Sequence, residues 1–242
     1  MPSSTFPTLL LLRFEAPLQA WGLRARWDVR DTGTEPSKSG IIGLLACALG
    51  YKPDDPRIEA ELEVHLKVGV REERPGKMKK DFQTIHGEIL RADGGVKGGD
   101  GEDSTIVSPR QYLQDAAFFV VIGSDSPDLL VLCHKVLQNP HWPIYLGRKA
   151  CVPTRPVVET LTTQYKDIED ALRHHPWDVK GTGGLSRKEP SPDTKLRCVL
   201  EDPESHQVRP DRVHINPARM YLTRRVKEFT VPLPSEAHQE GS

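Results

Sequence analysis

At 242 residues, 37% of them apolar and 28% charged, the chain can bury a core as one large domain or two small ones, and general disorder is excluded. The formal net charge of −1 excludes bulk basicity as a sign of a nucleic-acid partner, so any basic surface must be a local patch offset by acid elsewhere. Cys47, Cys133, Cys151 and Cys198 stand singly, without a CxxC pair, which removes the zinc-ribbon and redox-motif classes and gives no disulfide framework. Met1 to Thr5 lacks the basic region of a signal peptide, and the apolar run Leu9 to Leu12 is far too short for a membrane span. The expectation is a reduced, cytoplasmic protein with no membrane partner and no cofactor.

In chain order, Thr8 to Phe14 reads as a buried strand, followed by a polar, arginine-bearing stretch from Pro17 to Pro36. Ser37 to Gly50 is the clearest element. Ile41, Leu44, Leu45, Ala48 and Leu49 recur at helical spacing between a Pro-Ser start and a glycine stop. Gly40 and Gly43 each cost such a helix about 1 kcal/mol against alanine, which points to tight packing or a close ligand. Val64 to Val70 alternates as a half-buried strand, and Ala116 to Ile122 reads as a fully buried one. Ser126 to Leu137 is a second helix, with Leu129, Leu130, Cys133, Val136 and Leu137 on one face, and Pro143 to Leu146 is taken as the last strand. Strand, helix, strand, strand, helix, strand is the α+β, ferredoxin-like arrangement shared with RNA-recognition folds.

The excursion from Lys79 to Pro109 reads as a long hairpin, its arms Asp81 to Leu90 and Ser104 to Ser108 and its tip the glycine-rich, acidic segment Ala92 to Asp103. Lys180 to Pro192 is of low complexity. Val208 to Pro234 is strand-like and basic and predicts a small accessory sheet, and the tail from Ser235 predicts disorder. The resulting division is a ferredoxin-like domain over 1–160, with a hairpin insertion at about 79–109, and a small β-rich region over 161–242.

Four stretches carry candidate binding chemistry. Arg24, Arg26 and Arg30 lead into Ser37-Lys38-Ser39 at a helix start, where unpaired N–H groups and a lysine suit a phosphate; capping beside a basic loop balanced by Asp28, Asp31 and Glu35 is the plainer alternative. Tyr145-Leu-Gly-Arg148-Lys149 offers a ring beside two cations, suited to stacking a base and gripping its phosphate, though a strand-end turn has the same composition. Arg110 and Tyr112 share a strand face by period two, with Asp115 placed to orient Arg110 or to begin the next strand. Arg71, Arg74, Lys77, Lys79 and Lys80 form a cationic run that reads first as a solvated face. Trp21, Trp142 and Trp177 read as core or interface residues. GxSxG, GxxxxGK[ST], HExxH and GxGxxG are absent. A histidine, a lysine and a tyrosine suffice for metal-independent RNA cleavage, but spacing does not gather them here.

Five stretches together resemble one family. They are Leu11-Leu-Arg-Phe-Glu-Ala-Pro-Leu-Gln-Ala-Trp-Gly22, Arg30 to Ala46, Asp81-Phe-Gln-Thr-Ile85, Arg110-Gln-Tyr-Leu-Gln-Asp-Ala-Ala-Phe118 and Tyr145-Leu-Gly-Arg-Lys-Ala-Cys151. In this order they resemble the CasD family of CRISPR repeat-associated proteins, type I-E subtype. The resemblance implies a ferredoxin-like body with a protruding thumb over Asp81 to Ser108. It implies a non-catalytic role: binding the 5′ handle of the mature crRNA through Lys38, Ser39, Arg110, Tyr145 and Arg148, and touching the large subunit and the adjacent backbone subunit of Cascade. Added to the physical reading, the expected RNA-binding set is Arg26, Arg30, Lys38, Ser39, Arg110, Tyr112, Tyr145, Arg148 and Lys149. A metal-independent endoribonuclease, as in the related I-C subtype, and a purely protein-binding scaffold are the competing classes.

Overall fold

The computed structural model describes residues 8–23, 30–86, 89–90, 95–97, 105–179, 190–191, 193–215 and 220–234. The hairpin tip at 92–94 and 98–103, most of the 180–192 stretch and the tail from 235 lie outside them, as do Arg24 and Arg26.

The first strand, β1 (Leu9–Glu15), shows why its apolar run is unbroken rather than alternating. Leu10, Leu12 and Phe14 enter one hydrophobic cluster and Leu9 and Leu11 another, so both faces of the strand are covered. A two-residue strand, β2 (Leu18–Gln19), follows, and then helix α1 (Lys38–Leu49). Ser37 caps α1 by accepting from the Gly40 N–H, and Gly50 ends it in the left-handed conformation at φ 78°. Gly40 has its packing reason, since a Cβ there would sit 2.8 Å from the Trp21 ring, whereas a Cβ at Gly43 would meet nothing within 4 Å.

Beyond a π-helical turn at Ile58–Glu63 come β3 (Leu66–Arg74), β4 (Lys77–His86), a short ribbon of β5 (Ile89–Leu90) and β6 (Val96–Lys97), then β7 (Thr105–Gln114), β8 (Ala117–Ser124) and α2 (Pro127–Gln138). The strand expected at Pro143 to Leu146 is a bent segment instead. The place beside β1 goes to β9 (Val158–Thr162), which pairs antiparallel with it. Strand β9 is the edge strand beside β1, its residues partly buried or exposed, so no apolar run marks it.

Four strands thus stand in the order β9–β1–β8–β3, antiparallel throughout, with α1 and α2 packed on one face. Val208 to Pro234, expected as a small accessory sheet, extends this one instead, together with a strand that precedes it. Strand β10 (Lys195–Glu201) pairs with β3, β12 (Met220–Pro232) with β10, and β11 (Gln207–His214) with β12, giving seven strands. A third helix, α3 (Ile168–His174), covers the opposite face with Ile168, Ala171 and Leu172 against Leu9, Leu11, Phe119 and Val121.

Candidate nucleic-acid interface

Strands β4 and β7 leave the body as a two-stranded arm, paired from Lys77 opposite Gln114 to His86 opposite Thr105, so its base starts earlier than the predicted arms. Side chains alternate across it. One face carries Lys77, Lys79, Asp81 and Gln83 opposite Gln114, Tyr112, Arg110 and Ser108; the other carries Met78, Lys80, Phe82 and Thr84 opposite Leu113, Gln111, Pro109 and Val107. Met78, Phe82 and Val107 are exposed, so the second face is an apolar stripe in solvent. Sequence reading missed it, because the period-two pattern straddles both arms and is visible only once the register is known.

Arg30 joins the polar face. Its N–H donates to the Pro109 carbonyl (3.1 Å) and its own carbonyl accepts from the Gln111 N–H (2.9 Å), which sets it beside Arg110 as a one-residue extension of the sheet. Arg148 holds this junction. Its guanidinium donates to the carbonyls of Gln111 (2.8 Å), Arg30 (2.9 Å) and Asp31 (3.2 Å), and stacks 4.6 Å from the centre of the Tyr112 ring. Two of the residues expected at the RNA are engaged within the chain. Arg148 has its donors directed at main-chain carbonyls, and Tyr112, buried beneath it, offers no open ring face for a base. Both serve to position Arg30 and Arg110.

Lys38 is a third residue engaged within the chain. It begins α1 as predicted, but its side chain is 5% exposed, with Nζ 3.0 Å from Glu63 and 3.3 Å from Glu201, and its N–H donates to Asp211 (2.7 Å). The amine ties the Ile58–Glu63 turn and β10 to α1, and the main-chain N–H ties β11 to it. Burial pushes the Glu63 carboxyl up to about 7 against the opposing pull of Lys38 and the Val213 N–H.

Other cations remain unengaged among the described residues. The Arg110 Nε is buried without a hydrogen-bond partner, and Asp115 does not orient it, since the Asp115 carboxylate accepts from the Gln114 amide (3.1 Å). A buried guanidinium donor costs about 1–3 kcal/mol while it lacks an acceptor. Arg30, Lys77 and Lys79 are exposed on the same face, and Lys80 is exposed on the other. Ser39, Tyr145 and Lys149 converge elsewhere, on a cavity of about 740 Å³ between α1 and the 142–152 segment.

The histidines do not gather at this surface. His65 pairs with Asp125, His86 with Thr105 and His214 with Glu59, while His175 lies 2.9 Å from the Tyr165 hydroxyl in a network under α3, on the far face of the sheet. Among the described residues no group of three or more His, Cys, Asp or Glu is placed to hold a metal ion, and no helix is long and apolar enough to cross a membrane.

Residues 9–231 match the family model described as CRISPR-associated protein (Cas_Cas5). The chain belongs to the CRISPR-associated Cas5 family. It is 32% identical over 177 residues to the CRISPR system Cascade subunit CasD of Escherichia coli strain K12, an overlap covering 69% of this chain and 76% of that protein. Among solved structures, a chain of a CRISPR RNA-guided surveillance complex superposes with a TM-score of 0.73 at 29% identity, covering 94% of this Cas5 chain and 91% of the other. A second, described as the crystal structure of a Cas protein, gives 0.64 at 31% identity over 94% and 98%.

Proposed function

We propose that this Cas5 protein is the subunit of a type I-E Cascade surveillance complex that binds and caps the 5′ handle of the crRNA without cutting it. The observation that carries the reading is the Arg30–Arg110 pair, two arginines whose main chains are bridged side by side at the root of the arm, Arg110 with a buried donor lacking an acceptor among the described residues. Guanidinium groups suit phosphate and base edges bidentately. The order β9–β1–β8–β3 supports a ferredoxin-like, RNA-recognition body, with 1–160 as its extent, 77–114 as the thumb and 161–242 as its extension. On this reading the thumb's polar face lies on the RNA, and its Met78–Phe82–Val107 face meets the adjacent backbone subunit. The large subunit is the other protein partner, and the setting is the cytoplasm.

Arg110→Ala is expected to weaken binding of a labelled repeat–spacer RNA by roughly tenfold or more, the scale of a lost charged hydrogen bond. The slope of log affinity against log salt should fall by roughly one. Filter binding in EDTA measures both, and the RNA should stay intact. Unchanged affinity, or turnover of the RNA by the isolated chain, would sink the reading; turnover would favour the nuclease.

A further inference from the structure

The sheet of the arm and the sheet of the body meet at a corner built from very short links. Ala16-Pro17 joins β1 to β2, Pro75-Gly76 joins β3 to β4, and Asp115-Ala116 joins β7 to β8. The last ladder pair of the body here is Arg74 with Ala117 and the first of the arm is Lys77 with Gln114, so the two links between them face each other without a pair. On the β7 side the corner is turned by Asp115, the one residue other than glycine at positive φ (58°) among the described residues. Aspartate tolerates that conformation, but a residue stays in it only where its surroundings fix it. Both main-chain polar groups of Asp115 are engaged. Its N–H donates to the Pro17 carbonyl (3.0 Å), and its carbonyl accepts from Arg74 Nε (2.5 Å). Arg74 Nη2 also lies 3.7 Å from the buried Glu15 carboxylate, so one side chain links the ends of β1 and β3 to the corner. Gly76 permits the close approach, since a Cβ there would sit 2.8 Å from the Ala116 Cβ and 3.0 Å from the Gln114 carbonyl oxygen. Tyr112 and Leu113 root β7 in the core, whereas β4 is exposed from Lys77 to Thr84 and has no such root.

We infer that Arg74 is a positioning residue: by pinning the Asp115 carbonyl it sets the angle at which the arm leaves the body, and so places the arm's polar face on the RNA without touching it. The inference rests on the RNA-binding reading above for its ligand; the angle is measurable without RNA. Spin labels at Thr84→Cys on β4 and Lys135→Cys on α2 report it, in full-length protein carrying Cys47→Ser, the other three cysteines being buried. One narrow distance distribution is expected with Arg74 in place, and a shifted or broadened one in Arg74→Ala. Binding of the repeat–spacer RNA should weaken roughly tenfold, the factor that follows when the bound orientation falls to about a tenth of the population. The slope of log affinity against log salt should stay as it was, whereas a lost phosphate contact lowers it by roughly one.

Should Arg74→Ala fail to melt cooperatively, Asp115→Ala takes its place. It removes an acid, so charge alone would tighten RNA binding, but alanine disfavours the left-handed conformation and the corner account expects a moved arm and weaker binding. An unmoved arm in the variant measured overturns the inference. So does weaker binding by Arg74→Ala with a reduced salt slope, which makes Arg74 a direct phosphate contact, and so does a moved arm with unchanged affinity. If the unmodified protein binds no RNA, the RNA reading falls, and the distances alone show whether Arg74 sets the angle.

Discussion

Gly147→Ala is expected to be among the most damaging single-methyl changes in the chain. Gly147 sits at φ +94°, and a Cβ built there lies 1.6 Å from the Ala20 carbonyl oxygen and 2.7 Å from its carbon. Main chain cannot yield as a flexible side chain can. The segment is held against Ala20 by the Ala20 N–H to Leu146 carbonyl bond (3.1 Å), and is closed on itself by Leu146 N–H to Cys151 carbonyl (2.8 Å) and Cys151 N–H to Arg148 carbonyl (2.7 Å). Separating the two chains forfeits that packing and adds the cost of an alanine in a left-handed conformation. A loss of about 3 kcal/mol or more follows, seen as a fall in melting temperature of roughly 10 °C for a chain of this size. Gly43→Ala provides the contrast. The same added methyl, in a helix with open space around it, should leave the melting temperature unchanged or raise it. A wild-type melting curve for Gly147→Ala would show that the 142–152 segment is not fixed as described.

The second large effect lies at Glu73. Arg71 is fully buried and Arg13 nearly so, and both turn to one carboxylate: Glu73 Oε1 accepts from Arg71 Nη2 (2.6 Å), Arg71 Nε (2.8 Å) and Arg13 Nη1 (3.2 Å). Burial pulls the Arg71 pKa down, which marks how poorly the site would hold an uncompensated cation. Glu159 supplies the remaining charge through Arg13 Nε (2.7 Å). Burial would raise its carboxyl, but the His175 hydrogen bond and the Arg13 charge outweigh it and hold the pKa at about 2. Glu73→Ala leaves two guanidinium groups against one remaining carboxylate beneath α3. Breaking a buried pair from one side costs about 3–5 kcal/mol, most of it the stranded charge. The melting temperature should fall by roughly 10 °C or more, and Glu73→Gln, which keeps an acceptor but not the charge, should fall in between. A change under about 2 °C for the alanine variant would show that water reaches these groups.

Arg71 also shows where sequence reading stops. In the sequence it is one more cation in a solvated-looking run, and the partners that bury it, Glu73 and the Leu172 carbonyl, come partly from a helix a hundred residues away. Lys38 fails in the same manner. A lysine at a helix start is the local signature of a phosphate site, and only the long-range positions of Glu63 and Glu201 reveal it as an internal strut. What was legible is what short-range physics decides. The doubly buried β1 and β8, the cap and glycine stop of α1, and the apolar stripe of α2 all announce themselves by periodicity. The fourth strand was misplaced because Pro143-Ile-Tyr-Leu146 is more apolar than Val158–Thr162. Its glycine turn bends it away from the sheet instead. Arg30 and Arg110, which we propose meet the RNA, were named from the sequence. That Arg148 and Tyr112 brace them from behind depended on a stacking contact spanning residues 112 to 148, which no spacing rule contains.

If the Arg30–Arg110 junction grips the 5′ end of a guide RNA inside an assembled complex, nuclease footprinting of labelled guide RNA in complexes co-purified with wild-type or Arg110→Ala protein will show it. The expected result is a 5′ handle protected by the wild type and opened by Arg110→Ala, with protection along the rest of the guide retained. Equal protection of the handle in both complexes would contradict it.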